Sequence, residues 1–585
     1  MRTFEPSESY RNVFYGDVSR DIMIKGRILA PGDEPRWLID KFLARLARSE
    51  VLLRESKRDT TMLIETVRSY VDDGVCIFGS PLLTNVSANR PTLASCIAVP
   101  FEDAQLSYSE LDTAEKYYKL NMGSGYNLND HKNPVEALIA LNRHASRLET
   151  ALTCERYIGN IAHVSVSHPY IRDFITAKTR YKDVKHFNIS VDISDSFMSA
   201  LVSGSQFRLD NGEMVRASGL WDDLVHSAWL CGDPGLISLA RFNAHNPVAD
   251  VSPYTTTAPC AEVGLSKGEA CVFAYINLAA CLRWKQERLD VDYDLLGNVA
   301  ECLTRVLDDS LEASLSHFPT TTSNSVMAAN RKIGIGLCGF ADTLIWLGID
   351  YGSTDSCDLV RRALSTINFR SKHASMVLAA RRGAFSQFPR SRYVTEPTFG
   401  ARFASASVGI PPEAWYDLAR EISTHGIRNA MTTALPPSGR SSLLLGTSPS
   451  IEPILDARSQ IVPLAPYRAL VAAGFLTVDE HGAARITRAH EYGPWPRQVA
   501  SPHSLFRGAR QLSVDEHLSV LSAAATLVDD GVSKTVNLPY HSGVSNVEEV
   551  FNRAWSGGLK AISVYRDPMD SQLGASKHHC GTPTS

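Results

Sequence analysis

The sequence predicts an α/β protein built on a largely parallel sheet, and three observations predict it. From about residue 76 onward, short apolar runs alternate with amphipathic stretches, the texture of strands joined by helical crossovers. The first 75 residues lack this alternation and read as helical. A hydrophobic content of 44% with 21% charged residues over 585 positions describes an ordinary folded protein. That length suits one large domain or two to three smaller ones.

In "PRWLIDKFLARLARSEVLLRES", Leu38, Phe42, Leu46 and Leu53 fall near one face with charges opposite, which predicts a surface helix over the N-terminal region 1–75. The apolar runs that follow are "GVCIFGSPLL", "ASCIAVPF", "HFNISVDIS", "CVFAYINL" and "SKTVNLP". Between them lie helical stretches such as "LLGNVAECLTRVLDDSLEASL" and "SVDEHLSVLSAAATLVDDG". The last opens on a capping box, Ser513 followed by Glu516. A catalytic domain over 76–568 and a mobile tail over 569–585 follow, since the tail has no apolar periodicity.

Lys+Arg number 59 against 63 Asp+Glu, a net charge of −4, so no global basic field points to a nucleic-acid partner. The start is polar where a signal peptide needs an apolar run, and no window reaches the ~18 apolar residues of a membrane span. A cytoplasmic location with no membrane partner is the default expectation. The eleven cysteines include no CxxC pair, which argues against a zinc ribbon or a thioredoxin-type motif, and no metal ligands are assigned. Their odd number argues against a disulfide scaffold. Cys302, on a helical apolar stripe, and Cys338, in an apolar run, read as core residues.

Four motifs carry chemistry. "GIGLCGF" fits GxGxxG through Gly334, Gly336 and Gly339, but "NRKIG" is a poor first strand for a dinucleotide site. Tight helix packing accounts for it better. "LPPSGRSSLLLGTSPSIEP" sets Ser438, Gly439, Arg440, Ser441 and Ser442 ahead of an apolar run. Such a loop offers backbone N–H groups and a guanidinium to a phosphate, and reads equally as an ordinary Ser/Gly turn. "NMGSGYNLND", alone, is a turn. In "APCAEV", an extended chain would place Cys260 and Glu262 on one face. A carboxylate raises the pKa of a nearby thiol, so the pair does not suit a thiolate nucleophile. A thiol that must stay protonated suits hydrogen-atom transfer, with the carboxylate handling a hydroxyl proton. Cys271 then belongs to a candidate redox pair.

Taken in order, these segments resemble the catalytic subunit of ribonucleotide reductases, and most closely the adenosylcobalamin-dependent branch. "LASCIAVPFED", "NMGSGYNLND", "HFNISVDISDSFM", "APCAEV…EACVFAYINL", "RKIGIGLCGFADTL", "LPPSGRSSLLLGTSPSIEP" and "GLKAISVYRD" carry the likeness from about Gly74 to Asp567. The resemblance retires the dinucleotide reading. It implies a ten-stranded α/β barrel with a central finger loop. It makes Cys260 the thiyl-radical residue, Glu262 its acid–base partner, and Cys96 with Cys271 the redox pair. It assigns substrate contacts to Ser95, Ala258, Ser438, Gly439, Arg440, Ser441 and Ser442. The implied partners are a ribonucleoside di- or triphosphate, a nucleotide effector, a thioredoxin-like dithiol reductant and a second copy of the chain. Ser563 and Val564 stand where a radical-relaying tyrosine pair would lie, which favours adenosylcobalamin as the radical source.

The sequence departs from the family pattern at the substrate. Ala258 replaces an asparagine that bonds ribose hydroxyls, Leu82 a threonine, and Arg440 a threonine of the phosphate loop. The base-sensing loop reads "ALTCERYIGN", and the tail holds only Cys580 in place of two shuttle cysteines. Beside ordinary ribonucleotide reduction stand two alternatives, a specialised radical enzyme acting on a modified nucleotide and a non-catalytic nucleotide-binding paralogue. Retention of the three cysteines and Glu262 argues against the last.

Overall fold

The computed structural model describes residues 5–101, 106–151, 157–286, 288–455, 465–474, 476–478, 484–486 and 502–567. The base-sensing segment around Cys154 and the tail bearing Cys580 lie outside the described residues. The N-terminal region is helical as its periodicity predicts: α1 (Asp17–Lys25), α2 (Pro35–Leu52) and α3 (Lys57–Asp72). Leu38, Phe42 and Leu46 of α2 are fully buried. Leu53 lies one residue past the helix and is half-exposed.

The apolar runs form strands: β1 (Cys76–Phe78), β2 (Cys96–Ala98), β3 (Gly123–Asn127), β4 (Asn160–Ser165), β5 (Phe187–Asp192) and β6 (Gly235–Ile237). They continue as β7 (Tyr254–Thr257), β8 (Gly264–Ser266), β9 (Ala270–Cys271), β10 (Phe273–Asn277), β11 (Gly334–Cys338), β12 (Thr535–Leu538) and β13 (Ala561–Arg566). An eight-stranded mixed sheet has the order β9-β2-β3-β4-β5-β6-β13-β12. From β2 to β6 every neighbouring pair is parallel, as is β12 with β13. The antiparallel joints are β9 with β2 and β13 with β6. A three-stranded sheet, β1-β10-β11, pairs β10 with β11 in parallel. The helices α4 (Tyr293–Glu312) and α5 (Thr354–Arg382) pack against one another on the outside, and Cys302 of α4 is half-buried against the core. The capping box at Ser513 and Glu516 is formed.

Two glycine-rich segments differ from expectation. "NMGSGYN" is not a turn but the buried strand β3, and "GIGLC" is not a helix-packing motif but the strand β11. Glycine has low strand propensity, so local pattern hides both. The reason is close approach. A Cβ at Gly125 would collide with the Thr257 carbonyl and lie 3.0 Å from Thr256 Oγ1. A Cβ at Gly334 would meet the Phe273 ring at 2.6 Å.

No helix of the described residues is long and apolar enough to cross a membrane.

Candidate active site

The strands β7 and β8 form an antiparallel hairpin whose turn carries Cys260 and Glu262. The turn is closed by Ala258 N–H donating to Val263 O at 2.9 Å and Ala261 N–H to Ala258 O at 2.8 Å. Ala261 takes φ +56°, a left-handed conformation that alanine adopts only under constraint. The chain here is therefore not extended, contrary to expectation. Cys260 and Glu262 flank the left-handed Ala261 on a tight turn rather than alternating along a strand. Glu262 is buried, Cys260 is half-exposed, and Ala258 is fully buried.

The hairpin is held along its whole length. Asn243 donates to Tyr254 O at 3.0 Å and accepts from Tyr254 N–H at 2.8 Å. Thr255 O accepts from Asn127 Nδ2 at 2.9 Å and from His163 Nε2 at 3.1 Å. Asn188 Nδ2 donates to Pro259 O at 3.1 Å, beside Cys260. Gly531 N–H donates to Glu262 O at 2.9 Å. At the far end, the Asp530 carboxylate accepts the Gly264 N–H while the Lys332 ammonium donates to Gly264 O. Lys332 also lies 3.3 Å from Asp530 and 3.4 Å from Glu269. Burial works against its charge, but Asp530 and Glu269 outweigh burial and raise its pKa. None of these supporting groups stands out in the sequence, because they come from segments far apart in the chain, from Asn127 to Gly531.

Cys96 and Cys271 are direct cross-strand partners of β2 and β9, and both are free thiols. Such partners lie about 4.5–5.5 Å apart, inside the range a disulfide spans. Burial drives the Cys271 thiol well above its ordinary pKa, with Lys332 opposing. It therefore stays protonated at neutral pH. Cys96 also meets the hairpin: a Cβ at Gly123 would lie 3.5 Å from Cys96 Sγ and 3.0 Å from Pro259 Cγ. The Ser95 hydroxyl, predicted to touch substrate, is buried with no hydrogen-bond partner among the described residues.

The segment 438–442 opens the short helix α6 (Gly439–Leu444), with Ser438 at φ +54° as its N-cap. Ser438 Oγ accepts from Ser450 N–H at 2.8 Å, and Ser441 Oγ donates to Phe78 O at 2.9 Å. Ser442 Oγ donates to Gly439 O at 2.9 Å. Arg440 Nη1 reaches the N-terminal region, donating to Gly26 O at 3.3 Å. The predicted phosphate loop is thus a helix start tied to Phe78 of β1 and to Gly26 at the end of α1. Leu82, in the neighbouring helix Ser80–Ser87, is fully buried.

A cross-strand pair of free thiols, Cys96 and Cys271, near a turn bearing Cys260 and Glu262 fits a cysteine-using oxidoreductase. A family profile described as "Ribonucleotide reductase, barrel domain" matches residues 95–565. The chain belongs to that family. It is 31% identical over 521 residues to the vitamin B12-dependent ribonucleoside-diphosphate reductase of Mycobacterium tuberculosis (strain CDC 1551 / Oshkosh), covering 83% of this chain and 69% of the relative. Likeness to the enzyme of the same name from Thermoplasma acidophilum is 27%, over 83% of this chain and 63% of that one. The vitamin B12-dependent ribonucleotide reductase of Streptomyces coelicolor is 24% identical, over 84% and 58%. The last two relatives thus extend well beyond the matched part.

Proposed function

We propose that the protein reduces ribonucleotides to 2′-deoxyribonucleotides through a thiyl radical at Cys260, with adenosylcobalamin as radical source. The observation that carries this reading is the cross-strand pairing of Cys96 with Cys271 next to the turn bearing Cys260 and Glu262. In this reading Cys260 removes the 3′-hydrogen of the ribose and later returns it. The Glu262 carboxylate takes the 3′-hydroxyl proton. Cys96 and Cys271 protonate the departing 2′-hydroxyl, which leaves as water, and supply two electrons to the sugar, ending as a disulfide. Ser95 and the 438–442 loop hold the nucleotide, the latter by its phosphates; Ala258 stands at the ribose without a side-chain donor.

The residues around Cys260 fit the cofactor. Asn188 bonds the turn at Pro259, and Ser190 shares its face of β5. Beside Ser190 lie Gly235 and Ser563, where a Cβ on the glycine would sit 3.3 Å from both hydroxyls. This flank is built of small side chains, which suits a bulky group brought up to the thiol. Adenosylcobalamin, when bound, supplies the radical equivalent for the Cys260 sulfur.

The family's ten-stranded barrel and finger are part of the proposal, as are the region boundaries at 75 and 568. In support, β9 and β10 are separated only by Val272, which links the two sheets on one side. On the other side, parallel bridges join Ile335 to Thr433 and Leu435 to Val532. These pairings support the reading of one barrel with the β7–β8 hairpin as its finger. A homodimer, a nucleotide effector and a thioredoxin-like dithiol are the proposed partners. The deciding experiment incubates the protein anaerobically with adenosylcobalamin, a dithiol and each ribonucleoside di- and triphosphate. A 2′-deoxy product that Cys260→Ala abolishes is expected. Cobalt–carbon cleavage without any deoxy product would overturn ordinary reduction in favour of a modified substrate, and binding without either a non-catalytic role.

A further inference from the structure

Tyr275 is a buried phenol that the mechanism above leaves unused. It stands on β10 and is only 5% exposed.

Its direction is fixed by the strand register. Phe273 pairs with Gly334 and Tyr275 with Gly336. A Cβ at Gly334 would lie 2.6 Å from the Phe273 ring and 3.5 Å from Cys271 Sγ, and one at Gly336 would lie 3.4 Å from Tyr275 Cδ1. Phe273 and Tyr275 therefore project over the glycine face of β11, the face that the redox thiol of Cys271 also meets. The same Gly336 position is 2.9 Å from Ala434 O and 3.2 Å from Pro436 Cδ, at the entry to the 438–442 loop. Tyr275 thus stands between the redox cysteine and the phosphate loop. After burial, the fields of Glu262, Cys96, Cys260 and Cys338 raise its pKa and keep it a donor.

We propose that the Tyr275 hydroxyl donates a hydrogen bond to a ribose hydroxyl of the bound nucleotide, in the region where Ala258 supplies no donor. The inference rests on the ribonucleotide reading and adds a substrate contact to it. It is tested by measuring binding of a ribonucleoside diphosphate and its 2′-deoxy and 3′-deoxy analogues to the wild type and to Tyr275→Phe. Thermal unfolding of both proteins is measured alongside, as is turnover of the wild type with adenosylcobalamin and dithiol. The expected result is about a tenfold loss of affinity for the ribonucleotide that disappears for the analogue lacking the hydroxyl addressed. An equal loss for all three ligands, or no loss, would overturn the proposal while wild-type turnover still upholds the reductase reading. A wild type that neither binds nor reduces ribonucleotides would overturn both.

Discussion

Lys332 and Asp530 grip one residue from its two sides: the carboxylate accepts the Gly264 N–H at 2.8 Å and the ammonium donates to Gly264 O at 2.5 Å. Both side chains are buried, so removing one leaves an uncompensated charge. Lys332→Met is expected to cost about 3–5 kcal/mol, read as a lower urea midpoint. Asp530→Asn should cost less, because an amide oxygen still accepts from Gly264 and burial already disfavours the Asp530 charge. The opposite order would show that the hairpin base does not depend on this ammonium.

Gly125 marks how closely the hairpin lies on β3, since a methyl group there would overlap the Thr257 carbonyl. Gly125→Ala should displace the Cys260 turn. Turnover is then expected to fall by about 100-fold, the scale of a misplacement near 1 Å, with far-ultraviolet circular dichroism unchanged. Wild-type turnover in this variant would show that the turn does not need this seat.

The pairing of Cys96 with Cys271 sets a redox expectation. Anaerobic turnover without added dithiol should consume the two thiols together and stop after one round. Mass spectrometry of the peptides should find Cys96 linked to Cys271 and Cys302 still free. Cys271→Ser should leave nucleotide binding intact and abolish dithiol-dependent cycling.

His163 supplies a pH test. Burial lowers its pKa from 6.5 to about 4, although the Thr255 carbonyl favours the proton. The folded protein therefore keeps the imidazole neutral where the unfolded chain would protonate it. The contribution is full above the unfolded pKa and is lost as pH falls from about 6.5 through about 4, amounting to about 3 kcal/mol. His163→Gln keeps an N–H donor for Thr255 but does not titrate. The stability gap between wild type and variant should narrow in acid by that amount, in urea titrations at pH 7 and pH 4. Asp342, whose pKa burial raises to about 6, carries the opposite sign. It favours folding below about 4 and loses that advantage as pH rises through 6.

Strand–helix alternation was legible because apolar runs such as "CVFAYINL" and "HFNISVDIS" report burial directly. The strands β3 and β11 were not, since their glycines are chosen for what packs against them, Thr257 and Phe273, rather than for strand propensity. Cys260, Glu262 and the thiol pair were legible as residue types. The turn that joins the first two was not, because the left-handed Ala261 is stabilised by contacts such as that of Gly531 with Glu262 O. Tyr275 gave no signal in its own segment, where an aromatic residue is ordinary strand composition.

The change of texture near residue 75 has a mechanical counterpart. Arg382 of α5 donates to Glu50 of α2 at 2.6 Å and to Glu55 at 2.8 Å, while Tyr10 donates to Asp342 at 2.9 Å. Arg440, within the predicted phosphate loop, is fastened to Gly26. Pulling on the N-terminus would load these bonds before any linker stretched. Strain applied to the first helices would thus reach the proposed nucleotide anchor, and a protease that removed them would carry away the Gly26 carbonyl that holds Arg440.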